Sequence, residues 1–182
     1  MRKTKIFSAL ALLASLVTVS LAGFATPPDT TKSSALTALP AGVELQELHR
    51  YFWRQNGTSG YHFSGWFLPR DWETRYTLEG SLGFVSKTSF ANSRPIYNCL
   101  VEVPGKNPSP FTSLDVNCEG QIPNRQHGFT GYISNMQIEG TAPLYRCNLF
   151  TPGHPHHFDT LSANCDGNAQ AQSEGVLGYV FL

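Results

Sequence analysis

From Val43 to the C-terminus, apolar residues come in short runs that alternate with polar ones, and Gly, Pro or Asn bounds each run. Runs rich in Val, Ile, Tyr, Phe and Thr with that punctuation predict β-strands. After the leader no window holds a helical period, although Val43 to His49 is compatible with a turn or two of helix. The expected fold class is all-β.

One heptapeptide recurs along this pattern. Glu79-Gly80-Ser81-Leu82-Gly83-Phe84-Val85 is followed by His127-Gly128-Phe129-Thr130-Gly131-Tyr132-Ile133 and by Glu174-Gly175-Val176-Leu177-Gly178-Tyr179-Val180. The first glycines, Gly80, Gly128 and Gly175, are separated by 48 and 47 residues. Such a period marks one supersecondary unit used several times. Other residues fall into line: Tyr51, Tyr97 and Tyr145 open the units, Phe63, Phe111 and Phe158 follow, and Asn117-Cys118-Glu119-Gly120 matches Asn164-Cys165-Asp166-Gly167. The units span about 48–93, 94–141 and 142–182. Each reads as an aromatic strand, a strand around the Phe, a polar turn and a strand ending in Gly-aromatic-β-branched. Closing three such units on themselves removes exposed strand edges, so a pseudo-threefold β-trefoil is expected, with a β-prism as the alternative. A trefoil needs four strands per unit and three are visible. The fourth is expected in the connectors Ser86 to Arg94 and Ser134 to Thr141.

The first 22 residues read as a signal peptide: Arg2, Lys3 and Lys5, an apolar run from Ile6 to Ala22, and small residues at the exit. Residues 23–42 are rich in Thr, Ser and Pro and read as a flexible spacer before a β domain at 43–182. The full chain has 13 basic and 13 acidic residues; losing three basic ones with the leader leaves a net charge of −3. No Lys/Arg cluster remains in the mature chain, which argues against nucleic acid and against an anionic membrane surface as partners. The expected location is extracellular. Asn56-Gly57-Thr58 is a glycosylation sequon, used only if the source cell carries out that chemistry.

Four cysteines in an exported chain predict two disulfides. Cys99 and Cys118 stand 19 apart and Cys147 and Cys165 stand 18 apart, on the same two lines of the alignment. Shared geometry therefore predicts Cys99–Cys118 and Cys147–Cys165. The first unit carries Trp53 and Arg70 on those lines and is expected to hold itself by packing.

Pro143-Leu144-Tyr145-Arg146-Cys147, His157-Phe158, Asn164-Cys165-Asp166-Gly167 and Glu174-Gly175 together resemble a repeat of unknown function found in secreted microbial proteins. That family pairs Tyr-Arg-Cys/Phe with His-Phe and with Glu-Gly before a closing aromatic, and often occurs beside secreted hydrolases. The resemblance covers roughly residues 48–182 and is strongest in the third unit. In the second, Asn98, Pro110 and His127 replace the Arg, His and Glu; the first keeps His62-Phe63 and Glu79-Gly80. It implies export and an accessory or binding role.

Catalytic chemistry is poorly supplied. There is no Gly-x-Ser-x-Gly elbow, and Glu79, Glu119, Asp159, Asp166 and Glu174 mostly sit on repeated lines, whereas an acid/base pair needs two different environments. Glu79 and Glu174 are expected to accept hydrogen bonds, with Arg146 the obvious donor. His154, His156 and His157 lie together, but His157 aligns with His62 as a structural position, so no metal site is expected. No catalytic residue and no cofactor is assigned. Sugar recognition needs an aromatic face and nearby Asp or Asn. Trp66, Trp72, Tyr61 and Tyr76 are the candidate aromatics; Asp115, Asn117, Asp159 and Asn164 are the candidate polar contacts. The expected function is a secreted, non-catalytic module binding carbohydrate or a cell-envelope polymer. The alternative is a domain that binds a secreted or surface protein, or inhibits a protease through the Leu100 to Pro110 loop; a hydrolase ranks below both.

Overall fold

The computed structural model describes residues 39–55, 59–68, 70–150 and 155–182. The leader, most of the spacer, the Asn56 sequon and His154 lie outside the described residues. Among the described residues ten strands follow in order: β1 (Leu45–Gln55), β2 (Ser59–Gly65), β3 (Thr77–Ser86), β4 (Ser93–Val101), β5 (Ser109–Ser113), β6 (Ile122–Pro123), β7 (Phe129–Ser134), β8 (Thr141–Leu149), β9 (His157–Thr160) and β10 (Ala171–Phe181). All pair antiparallel in one sheet. Val43–His49 makes no helix: Leu45 to His49 form the start of β1 against β3. Two turns of helix are too short to persist alone, and the ladder satisfies the same backbone groups while burying Leu48 completely.

Three long strands share one scheme. β1 pairs with β2 and β3, β4 with β5 and β7, and β8 with β9 and β10. The three strands bearing the heptapeptide then pair with one another, at Phe84↔Phe181, Ser134↔Tyr179 and Ser86↔Tyr132. Their second glycines make this approach possible. A Cβ on Gly83 would stand 2.5 Å from the Phe181 carbonyl, on Gly131 2.6 Å from Val85 Cγ2, and on Gly178 2.5 Å from Ile133 Cδ1. No side chain fits at those distances, so the recurrent glycine follows from packing. Around this contact lies the main core: Leu48, Ile96 and Leu144 from the long strands, and Val85, Ile133 and Val180 just beyond the glycines.

The connectors after β3 and β7 contain no further strand. Ser86 Oγ donates to the Thr88 carbonyl at 2.7 Å and Ser134 Oγ to the Met136 carbonyl at 2.6 Å. Ser93 and Thr141 hydroxyls close the far ends on Phe90 and Ile138. Local side-chain bonds thus replace a ladder, and each segment has three principal strands.

Both expected disulfides form, Cys99–Cys118 and Cys147–Cys165, with Cα separations of 5.5 and 5.9 Å. Each packs on the Phe of its own segment, Phe111 or Phe158. The register corrects two assignments. Cys99 pairs with Phe111, Cys147 with Phe158 and Tyr51 with Phe63, so Tyr51, and not Trp53, occupies the cysteine line of the first segment. Trp53 lies two pairs further out, opposite Tyr61, and His49, opposite Gly65, takes the line of Tyr97 and Tyr145 that was expected for Tyr51. In place of a disulfide the first segment holds an aromatic cluster of Tyr61, Phe63 and Tyr76, overlaid by Tyr51, Trp53 and Trp72.

Candidate functional site

Arg50 in β1 lies opposite Gly80, and Arg146 in β8 lies opposite Gly175. A glycine partner leaves the space above it open, so each guanidinium can lie across the neighbouring strand toward the next segment. Arg50 Nε donates to Glu79 Oε2 at 2.8 Å, and Nη1 donates to Asp166 Oδ2 at 2.7 Å and to the Asp159 carbonyl at 3.0 Å. Arg146 repeats the arrangement: Nε to Glu174 Oε2 at 2.7 Å, Nη1 to Glu119 Oε1 at 2.6 Å and to the Thr112 carbonyl at 3.0 Å. His62 Nε2 and His157 Nε2 face the same carboxylates, Glu79 and Glu174, at 3.2 and 3.5 Å. The remaining acid comes from the half-cystine turn. Cys118 and Glu119 have φ of 56° and 54°, and Cys165 and Asp166 have 54° and 57°. Such left-handed residues persist only when their surroundings hold them; here a disulfide anchors the turn that extends the acid to the neighbouring arginine.

Burial alone would raise Glu79, but the His62 hydrogen bond and Arg50 outweigh it and hold the carboxyl below its usual range. Glu174 is lowered to about 2, first by its hydrogen bond with His157 and then by Arg146. Glu119 is lowered chiefly by the Arg146 hydrogen bond; Asp166 is lowered by Thr160 and Arg50 against an opposing burial effect. These carboxylates are ionised and committed to a clamp between segments.

A third junction occupies the same register positions with different chemistry. Asn98 replaces the arginine: its Nδ2 donates to the Ser64 carbonyl at 3.1 Å, and its Oδ1 accepts from Asn124 Nδ2 at 3.0 Å. The three anchored carbonyls belong to Ser64, Thr112 and Asp159, 48 and 47 residues apart. His127 stands where Glu79 and Glu174 stand. Burial lowers its pKa, and the charge of Asp71, on the line of Glu119 and Asp166, pulls it partly back. Trp66 stands where Leu114 and Leu161 pack on the main core, and Phe129 where Ser81 and Val176 stand. Trp66 and Phe129 are each 46% exposed and line one concave surface with Phe67 and His127. Phe67 meets Trp66 with ring centroids 4.0 Å apart and His127 at 4.3 Å; Phe129 continues to Tyr132 at 5.2 Å and Tyr97 at 6.4 Å.

The predicted contact residues therefore separate. Trp66 is at the exposed junction. Trp72 is half-buried, its ring 5.2 Å from Tyr76 and edge-on to Phe63 at 5.3 Å. Tyr61 and Tyr76 are interior residues of the same cluster and present no surface to a ligand. Asp159 is buried as well: Thr112 Oγ1 donates to its Oδ2, and burial raises its pKa against the hydrogen bonds of Thr112 and Ser64. It sits where β2, β5 and β9 pack together, beneath the surface rather than on it. Asp115 and Asn164 are exposed but serve their own turns, accepting from the amides of Asn117 and Glu119 and of Gly167. Asn117 is exposed on that first turn. The Leu100 to Pro110 segment is a hairpin end, with Val103 buried beneath it.

Sequence reasoning missed Phe67, Phe129, His127 and Asp71 as one group. The signal was present, since Asp71, Glu119 and Asp166 each lie eight residues after the Phe of their segment. Among the described residues no group of three or more His, Cys, Asp or Glu is disposed to hold a metal ion. His156 is buried against His62, with Nε2 2.7 Å from its Nδ1. No family model, curated sequence or solved structure matches this chain.

Proposed function

We propose that this protein is a secreted, non-catalytic module that binds carbohydrate or a cell-envelope polymer, built as a pseudo-threefold, trefoil-like domain of three repeats. The exposed aromatic surface at the Asn98 junction carries this reading. Two of three matching junctions are drawn together by arginine and carboxylates. The third carries Trp66, Phe67 and Phe129 at the surface, with His127 and the turn of Asp71 beside them. Flat aromatic faces stack on the apolar face of a pyranose ring while neighbouring polar groups bond its hydroxyls. The cyclic pattern supports the trefoil-like arrangement: Arg50, Asn98 and Arg146 each hold a backbone carbonyl of another repeat at the matching position. Two disulfides are compatible with an extracellular protein. The arginine-held carboxylates are occupied by structural bonds, which supports a binding role over hydrolysis.

The test is retention of the oxidised protein on insoluble plant, fungal and bacterial polysaccharides and on a glycan array. Retention by wild type that disappears in Trp66→Ala and Phe129→Ala is expected. Absence of retention on every polymer sinks the carbohydrate reading and turns the search to protein partners.

A further inference from the structure

The two arginine clamps differ in a way that bears on ligand binding. At the Arg146 clamp every guanidinium nitrogen and carboxylate oxygen is used: Nη2 donates to Glu119 Oε2 at 3.2 Å, and Glu174 Oε1 accepts from Asn148 Nδ2 at 3.3 Å. At the Arg50 clamp both equivalents lack a partner among the described residues. Asp166 is one methylene shorter than Glu119 and turns its second oxygen to Thr160 Oγ1, leaving Arg50 Nη2 unbonded. Phe52 stands on the line of Asn148, as the pairs Phe52↔His62 and Asn148↔His157 show, so Glu79 Oε1 has no amide donor. Beside these atoms is a cavity of about 250 Å³ lined by Arg50, Glu79, Ser81, Thr160, Leu161 and Asp166. Small Ser81 keeps it open; at the same register position the aromatic junction has Phe129.

We infer that this cavity is a second ligand subsite, taking a single neutral, polyhydroxylated ring such as one unmodified hexose residue of a glycan. Arg50 Nη2 donates to one ring hydroxyl, and Glu79 Oε1 accepts from the hydroxyl next to it. A fixed donor beside a fixed acceptor is the complement of a vicinal diol. Leu161 supplies an apolar wall. One guanidinium faces two carboxylates here, so a uronate or sulfated ring is repelled. The inference rests on the carbohydrate reading given above and adds to it a ligand class and bivalency: two subsites on one domain raise avidity for a repeating polymer without new contacts.

The experiment is a ¹H–¹⁵N NMR titration of the oxidised chain with D-glucose, D-galactose, D-mannose and N-acetyl-D-glucosamine, with D-glucuronate as the charged control. At least one neutral sugar should shift the amides of Gly80, Ser81 and Leu161. Ser81→Phe, which places in the cavity the residue that position 129 already tolerates, should abolish those shifts. Asp166→Glu, which lets the acid engage Nη2 as Glu119 does, should abolish them with one added methylene in place of an aromatic ring. Trp66→Ala should leave them intact. Shifts confined to Trp66, Phe129 and their neighbours overturn the second subsite and leave the carbohydrate reading standing. Shifts at Gly80 to Leu82 that survive both cavity variants, or a glucuronate affinity equal to that of the neutral sugars, also overturn it. Polymer retention lost in Ser81→Phe but kept in Trp66→Ala supports the subsite and moves the binding face away from the aromatic junction.

Discussion

The first and third segments brace the same strand pair with different chemistry. In the third, Cys147–Cys165 spans the turn and packs on Phe158, and the turn then presents Asp166 to Arg50. In the first, Tyr51 stands in the cysteine position and the brace is a stack of Tyr61, Phe63, Trp72 and Tyr76. A covalent link holds its turn whatever lies on the surface. An aromatic stack holds its loop by burying area, and that area is drawn from the same kind of residue that would otherwise meet a ligand. Trp72 goes to the brace and Trp66 remains outside. The comparison separates a tryptophan that holds the fold from one available for recognition, although the two lie only six residues apart.

The largest expected effect tests the aromatic brace. Phe63→Ala removes the ring that touches Tyr51, Trp72, Tyr76 and His127. It should destabilise the domain by about 3–5 kcal/mol in urea unfolding, as truncations of buried aromatics do. A loss under 1 kcal/mol would mean that the first segment is not held by this cluster. Next comes the covalent brace. Cys147→Ser with Cys165→Ser releases a loop of 18 residues and should cost about 3 kcal/mol. Because the turn carries Asp166, the same variant should also free Arg50, visible as a shift of its Nε resonance; Cys99→Ser with Cys118→Ser should leave that resonance in place.

The clamps come third. Arg146→Met strips Glu119, Glu174 and the Thr112 carbonyl of their arginine donor. Both acids keep some exposure to solvent, so the expected loss is about 2 kcal/mol, below that for a fully buried pair. The same clamp predicts a pH dependence. Glu174 has a folded pKa of about 2 against an ordinary 4.5, so the folded state binds its proton more weakly than the unfolded state. Its stabilisation is fully present above pH 4.5 and is lost as pH falls toward about 2. Glu79, Glu119 and Asp166 shift in the same direction and add to the slope. Acid unfolding of wild type should therefore be steeper than that of Arg146→Met over this window; equal slopes would show that Arg146 does not hold Glu119 and Glu174.

Local features were legible in the sequence, and features joining distant segments were not. Glycine spacing identified Gly83, Gly131 and Gly178, because a packing requirement met three times leaves a period. The cysteine lines fixed both disulfides, and the match of His157 with His62 was a true structural equivalence, each facing a glutamate. The misplacement of Trp53 has a simple origin. Tyr51 and Trp53 point to the same side of a strand, so a shift by two leaves the pattern of aromatic residues unchanged, and only the pairing with Phe63 decides between them. The contact of Arg50 with Asp166 spans 116 residues and follows from how the segments meet. The burial of Tyr61, Tyr76 and Asp159 likewise depends on which strands face one another.

Trp66→Ala has the smallest expected effect on folding and bears most directly on the comparison. Leu114 and Leu161, on the same line, pack against the main core, and removing either leaves a cavity. Trp66 has turned outward, with its main ring neighbour Phe67 also exposed. Truncating an exposed side chain away from cores, caps and ion pairs shifts stability by about 0.5 kcal/mol or less. Trp72→Ala, six residues later in the aromatic brace, should cost several times that. If the two variants unfold at the same urea concentration, the division between bracing and exposed tryptophan is wrong and the junction is part of the core. If Trp66→Ala keeps wild-type stability and loses polymer retention, a large apolar ring is being held in water for a ligand.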